Sequence, residues 1–380
     1  MRKFFNYLMV ILILTNIVIF ITGHSYIYKA LVYQQPNIDD LEIFETRLVE
    51  ASDDFKEWPT FPDFKKAELS YEFESTLNKF ESVAFLIVQD DSILIEKYWD
   101  GYGPESLSNP FSAAKSVVAT LIGIAIKDGH LTGVDQPISE ILNEFNEKGR
   151  EKTTIKDVLN MTSGLSFSES YSTPFNHTTD AYYGTDLKKL IYSLDMVEEP
   201  GTKWRYKSAD TQVLAMIIEK STNMSLSDYA SKRLWKPLGM KHNAQWSLDK
   251  KDGIEKAYCC LYSNARDFAR FGKFWLDSGI VDSVSLISKD FFNSAITPVM
   301  LPDDEGVIVD NYGYQWWLMS HRGYKINYCR GILGQYIVCI PKLNAVMVRL
   351  GHRRSEEKIN GHPAEVITYI DETINILEGK

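Results

Sequence analysis

The sequence predicts an α+β fold: an antiparallel sheet flanked by helices, a mostly helical lobe, and a cleft between the two. Three observations carry this. Val83–Gln89 and Ile93–Trp99 read as two strands around a turn at Asp90-Asp91. Short runs rich in β-formers return after residue 312. Between them the pattern is helical, and it begins with an almost wholly apolar stretch at Ser112–Lys127.

Met1-Arg-Lys3 is positively charged, and Phe4 to Thr22 is then apolar apart from Asn6, Asn16 and a tyrosine. That run of 19 residues is about long enough to span a bilayer. It exceeds a usual signal-peptide core, and Ile21-Thr-Gly23 is a weak cleavage site. Residues 1–23 are therefore read as an uncleaved membrane anchor, with a signal segment as the alternative. The flanking charge places the remainder outside the cytoplasm, membrane-anchored, or secreted if the segment is cut. Residues 24–65 are polar and acidic with Pro36, Pro59 and Pro62, and read as a tether. The domain proper is 66–380.

Within that domain a helix is expected near Leu69–Phe80, followed by the hairpin and by Ser112–Lys127, which Asp128-Gly129 stops. Helices are expected at Thr154–Met161, Thr211–Lys220, Ser225–Trp235 and Asp267–Trp275. Tyr312–Ser320, Tyr324–Arg330, Gln335–Ile340 and Ala345–Leu350 read as strands, and Ala364–Leu377 as a closing helix. The first and last parts would share one sheet.

The chain has 380 residues, 44% hydrophobic and 24% charged, which suits a globular protein with one large domain. A net charge of -10 with no basic tract argues against a nucleic-acid partner. No internal repeat or low-complexity tract is present. The four cysteines, Cys259, Cys260, Cys329 and Cys339, have neither metal-site nor disulfide-framework spacing and read as free buried thiols. No metal or cofactor is implied.

The chemistry starts at Ser112-Ala-Ala-Lys115. Residues three apart share a helix face, so an amine lies beside a hydroxyl that it can help deprotonate. The same spacing at Ser247–Lys250 and Ser355–Lys358 has no apolar helix behind it. Neither a Gly-x-Ser-x-Gly elbow nor a His-Glu-x-x-His motif occurs. Tyr206 follows a Pro200-Gly-Thr turn and precedes a helix, and a neighbouring lysine can lower its phenol pKa for use as a base. Tyr262-Ser-Asn264 is a rival that follows the cysteine pair and reads as lobe packing. Gly331 and Gly334 in Cys329-Arg-Gly-Ile-Leu-Gly-Gln335 let a backbone approach a ligand closely. A backbone N–H there, paired with that of Ser112, would hold an oxyanion.

Together Ser112-x-x-Lys115, Tyr206-x-Ser208 and the glycine-bearing run resemble, in order, the motifs of class C β-lactamase-like serine hydrolases, the penicillin-recognising enzymes. Thr154-Ile-Lys-Asp-Val-Leu-Asn-Met-Thr-Ser-Gly-Leu165, Trp235-Lys-Pro-Leu-Gly-Met240 and Ala265-Arg-Asp-Phe-Ala-Arg-Phe-Gly272 support it. The likeness spans about residues 80–375 and looks nearest to 6-aminohexanoate-dimer hydrolases and family VIII-type esterases. It implies a β-lactamase/transpeptidase-like fold. Ser112 would be the acylated nucleophile, Lys115 the amine that shares its proton, and Tyr206 the base for acylation and the acid for the leaving group. The N–H groups of Ser112 and Ile332 would form the oxyanion hole. Ser208 would line the site, with Gly331 and the loop residue Tyr171.

Two departures matter. The β-lactamases carry Asn where Ser208 stands, and usually Lys-Thr-Gly where Cys329-Arg-Gly331 stands. A substrate carboxylate thus loses its anchor unless Arg330 turns inward. His321-Arg-Gly323 is a variant of that third motif without the Gly-Gln-Tyr continuation. The expected activity is hydrolysis of a small amide or ester through an acyl-serine. A D,D-peptidase, D-aminopeptidase or β-lactamase acting on cell-wall peptides or β-lactams is the alternative, and a non-catalytic binding or sensor protein on the same fold is the alternative of another class. The sequence leaves the oligomeric state open.

Overall fold

The computed structural model describes residues 1–61, 68–170 and 173–379. Helix α1 (Arg2–Ile21) buries none of its residues. Helix α2 (Tyr26–Tyr33) follows, then strand β1 (Thr46–Val49). Helix α3 (Tyr71–Lys79) starts where the Ser70 hydroxyl accepts the Phe73 N–H. Strands β2 (Ser82–Gln89) and β3 (Ser92–Tyr98) turn at Asp90-Asp91, both at positive φ, as a two-residue hairpin requires.

A short 3-10 turn at Phe111–Ala113 leads into α4 (Ala114–Lys127). Helix α5 (Ile155–Leu159) has a reciprocal cap between Thr154 and Asp157. Helices α6 (His177–Tyr183), α7 (Leu187–Ser193), α8 (Ser208–Thr222) and α9 (Leu226–Ala230) complete most of the lobe. Ser225 caps α9 as its sequence position suggests, but the segment after Ala230 is a π turn (Ser231–Trp235) rather than regular helix.

Strands β4 (Ala244–Ser247) and β5 (Leu261–Tyr262) precede α10 (Ala265–Leu276), a small ribbon β6 (Ile280–Val281) and β7 (Val284–Ser285), and α11 (Lys289–Ala295). The chain closes with β8 (Trp317–His321), β9 (Tyr324–Gly331), β10 (Gln335–Ile340), β11 (Ala345–Gly351) and α12 (Ala364–Glu378).

The main sheet has six strands in the order β3-β2-β11-β10-β9-β8. Both ends of the chain therefore build it, as the sequence predicts. Every pairing is antiparallel. Side chains alternate between two cores. Leu86, Val88, Val346, Val348 and Ile337 face the lobe that holds α4 and α10. Phe85, Ile87, Met347, Tyr336 and Val338 face α3 and α12, where Phe73 meets Phe85 edge-on with ring centroids 5.1 Å apart. A sheet covered on both faces needs apolar residues on both, and β2 reads as a nearly continuous apolar run for that reason.

Two sequence expectations need correction. Residues 24–49 are not a solvated tether: Ile27, Ile38 and Val49 are buried, and β1 pairs with β4 from Thr46↔Ser247 to Val49↔Ala244. The mostly helical lobe also holds a three-stranded sheet, β1-β4-β5, that the sequence did not announce. Cys259 and Cys260 are joined to each other as a disulfide, whereas Cys329 and Cys339 are free and buried as expected.

Arg349, in β11, is fully buried at the end of the sheet nearest the cleft. Its guanidinium donates to the carbonyls of Leu333 (3.0 Å), Gly334 (2.7 Å) and Arg353 (3.1 Å), to Ser82 Oγ (2.9 Å), and to the Phe80 carbonyl. Gly334 makes room for it, since a Cβ there would lie 2.3 Å from the guanidinium. The β9–β10 connection is thus pinned by a buried cation. Arg349→Met should lower unfolding stability by about 3 kcal/mol or more, because several buried acceptors lose their donor at once. Denaturant titration of the full chain in detergent measures it.

Candidate active site

Ser112 lies in the 3-10 turn that opens α4, and it is half-buried, whereas Lys115 in the first turn of α4 is buried. The residue before the serine, Phe111, sits at φ 45°, a left-handed conformation that costs a non-glycine residue about 1 kcal/mol or more. Asn109 holds it there: Asn109 Oδ1 accepts the N–H of Phe111 at 2.9 Å and of Cys260 at 3.0 Å.

The Lys115 Nζ has three polar neighbours: Ser112 Oγ at 3.0 Å, Ser208 Oγ at 3.1 Å and the Tyr258 carbonyl at 3.0 Å. Burial lowers its pKa to about 8, partly offset by the negative charge of Glu169. The amine is therefore readily deprotonated near neutral pH.

The direction of its lone pair follows from its neighbours. Ser208, the first residue of α8, gives its hydroxyl proton to Glu169 Oε1 at 2.7 Å and its N–H to Glu169 Oε2 at 2.7 Å. The Ser208 oxygen can then only accept from Lys115, and so can the Tyr258 carbonyl. A neutral Lys115 has two N–H donors for those two acceptors. Its lone pair is left for the Ser112 hydroxyl.

Tyr206 lies two residues before α8. Lys115 Nζ lies 5.1 Å from the centre of its ring. Trp204, Tyr312 and Trp317 pack around it at centroid distances of 6.5, 6.0 and 5.9 Å. This aromatic surround and the charge of Glu169 push its pKa up, although Ser112, Arg330 and Arg354 pull the other way. The expectation of a lowered phenol pKa is thus overturned. Enclosure outweighs the nearby cation, and Tyr206 carries its proton at neutral pH.

Gly331 ends β9 beside the serine turn. A Cβ at this position would lie 2.1 Å from the Pro110 carbonyl oxygen, so only glycine lets the two backbones meet. The close approach that the structure shows is to the backbone of the serine turn itself. The next residue, Ile332, shares with Ser112, Phe111, Ser208 and Tyr258 the wall of a cavity of about 460 Å³. Residues of α2 and the Gln34–Pro36 segment close its other side.

Of the remaining candidates, Tyr171 lies outside the described residues. Tyr262 is buried, and its hydroxyl accepts from Asn109 Nδ2 at 3.3 Å. Asn264, its motif partner, caps α10 by accepting the Asp267 N–H. His321 and Arg322 turn toward α12, where His321 Nε2 meets Asp371 Oδ1 at 2.8 Å. Arg330 lies against the Trp317 ring, 3.3 Å from its centre, and donates to the Gly361 carbonyl at 3.2 Å. Sequence reasoning missed Glu169 and the Tyr258 carbonyl. No motif marked the first, and any residue type can supply the second. Among the described residues no three His, Cys, Asp or Glu side chains gather where they could hold a metal ion.

Burial of Lys115 links pH to stability. Unfolded, the amine keeps its proton up to its ordinary pKa near 10.5; folded, it releases it at about 8. The folded state is therefore penalised below pH 8, and the penalty fades as pH rises from about 8 toward 10.5. Lys115→Met should flatten that part of the curve relative to the parent chain. Denaturant titrations of both at pH 7, 8 and 9 compare the slopes.

A family profile described as Beta-lactamase matches residues 72–369. The 6-aminohexanoate-dimer hydrolase of Paenarthrobacter ureafaciens is 26% identical over 295 residues, which cover 73% of this chain and 74% of that protein. In three dimensions the chain is similar to a Bacillus anthracis protein provisionally named a 6-aminohexanoate-dimer hydrolase, with a TM-score of 0.76 at 20% identity, covering 90% of this chain and 93% of the other. It is also similar to a family VIII carboxylesterase, with a TM-score of 0.65 at 15% identity, covering 84% and 99%. Members of this family are serine hydrolases. With a profile match over most of its length and the expected two-part fold, the chain belongs to the β-lactamase family.

Proposed function

We propose that the protein hydrolyses a small amide or ester through an acyl-serine intermediate, with Ser112 as nucleophile. The observation that carries this reading is the direction of the Lys115 lone pair. Two of the three neighbours of the amine can only accept, so its basic site is left for the Ser112 hydroxyl 3.0 Å away.

In the first step Ser112 Oγ bonds to the substrate carbonyl carbon while Lys115 takes the hydroxyl proton. The carbonyl oxygen becomes an oxyanion against the N–H groups of Ser112 and Ile332. The bond to the alcohol or amine then breaks. The departing group takes a proton from Tyr206, and the phenol recovers one from the Lys115 ammonium. A water molecule then attacks the acyl-serine in the same manner, releasing the acid and restoring the Ser112 hydroxyl. This differs from the role that the sequence resemblance implies for Tyr206 in acylation: a phenol with a raised pKa suits the acid, and an amine with pKa about 8 suits the base. Ser208 accepts from Lys115 Nζ and, with Glu169 behind it, positions the amine. Helix α1, mostly apolar and with no residue buried, is read as a membrane anchor that leaves the domain outside the cytoplasm.

Ser112→Ala should abolish covalent labelling by a fluorophosphonate probe; labelling of that variant at the parent rate would remove Ser112 from the mechanism. The kcat/KM for a p-nitrophenyl ester should rise with pH about a midpoint near 8 as Lys115 loses its proton. Because the charge of Glu169 raises that pKa, Glu169→Gln should move the midpoint to lower pH. A pH–rate profile of each protein reads the shift.

A further inference from the structure

The anchor and the cleft are closer than a domain on a tether would require. Helix α1 ends at Ile21 and α2 begins at Tyr26, and α2 supplies Ala30 and Leu31 to the wall of the Ser112 cavity. Five extended steps and five helical ones bound the distance from Ile21 to Leu31 at about 25 Å. The fold shortens it further, because the backbone turns back at once: the His24 N–H reaches the Ile19 carbonyl at 2.9 Å. The Tyr28 hydroxyl then donates to Asn16 Oδ1, five residues inside α1. Five residues of helix are about 7.5 Å, which places α2 at the depth where interfacial helices lie.

Helix α2 has the two faces such a position needs. Tyr26 and Ile27 are buried in the domain, whereas Leu31 and Val32 are 66% and 72% exposed. Across the cavity mouth Pro174 lines the wall, and its neighbour Phe175 is 66% exposed. The Phe175 ring lies 6.3 Å from that of His24, so this rim also adjoins the end of the anchor. The described residues lining the cavity include no charged side chain. Arg330, the cation nearest the third motif, is held against Trp317 and the Gly361 carbonyl.

We propose that the substrate is a membrane-dissolved amphiphile, an ester or amide of a long unbranched acyl chain, which passes from the bilayer over the Leu31, Val32 and Phe175 rim into the Ser112 cavity. The inference rests on the hydrolase and anchor readings given above and specifies the substrate of that same site. The acyl carbon is transferred to Ser112 Oγ as the alcohol or amine leaves with a proton, and water then releases the fatty acid. A neutral, largely apolar cavity accepts such a chain. A chain already dissolved in the bilayer gains no hydrophobic transfer on entering the cavity, so its passage depends on continuous apolar contact along the rim.

The test uses the full chain reconstituted in phosphatidylcholine vesicles. The kcat/KM for p-nitrophenyl palmitate dissolved in the bilayer is compared with that for p-nitrophenyl acetate in water. The parent protein should favour the palmitate ester. In Val32→Asp/Phe175→Asp the ratio of the two constants should fall by roughly tenfold or more, a loss of about 1.4 kcal/mol, while Val32→Leu/Phe175→Leu should keep it. Preference of the parent for acetate, or an unchanged ratio in the aspartate variant, overturns the inference and leaves the hydrolase reading standing. If neither ester is turned over and Ser112 takes no fluorophosphonate, the hydrolase reading fails and this inference fails with it.

Discussion

The site depends on one amine taken out of water. Lys115 is buried at the meeting point of three segments: the serine turn, the start of α8 and the backbone at Tyr258. Burying an ammonium is unfavourable unless its donors are met, and here three acceptors meet them. The same burial that costs stability gives the amine a pKa near neutrality. The charge of Glu169, whose carboxylate accepts from the Ser208 hydroxyl and N–H, limits the shift.

Around this amine the fold works as a set of clamps. Gln315 joins three elements: its backbone carbonyl accepts from Ser116 in α4 at 2.6 Å, and its side chain contacts Thr211 in α8 at 2.7 Å and the Val158 carbonyl in α5 at 3.1 Å. Arg349 does the same for the β9–β10 connection that carries Ile332. Asn109 holds the strained Phe111 and also reaches Cys260, so the serine turn and the Tyr258–Cys260 segment move as one body. Preorganisation is thus built from buried polar side chains bonded to backbone, which fix position more sharply than apolar packing does.

Much of this was legible in the sequence. The hairpin at Asp90-Asp91, three of the four late strands and the apolar helix after Ser112 follow local rules of period and turn chemistry and appear within a residue or two of their expected bounds, whereas β8 begins at Trp317, five residues later than expected. Ser112 and Lys115 were legible because their spacing is local to one helix. What the sequence hid was non-local. Strand β1 has a weak pattern and exists because β4 pairs with it across almost 200 positions. Glu169 has no motif and matters only because a helix start is folded against it. The phenol of Tyr206 was expected to have its pKa lowered by a neighbouring lysine, but burial and the charge of Glu169 raise it instead, and neither is local in sequence.

The way the sheet is assembled also sets a timetable. Strand β2 lies beside β11, so Leu86 finds Val348 only after some 260 further residues have been made. A growing chain exposes Ser112 and Lys115 long before it owns β11. Contacts of such long separation form late, after the loop between them has closed. The sheet that walls the Ser112 cavity is therefore incomplete throughout synthesis, and it closes only when the last fifth of the polypeptide has been made.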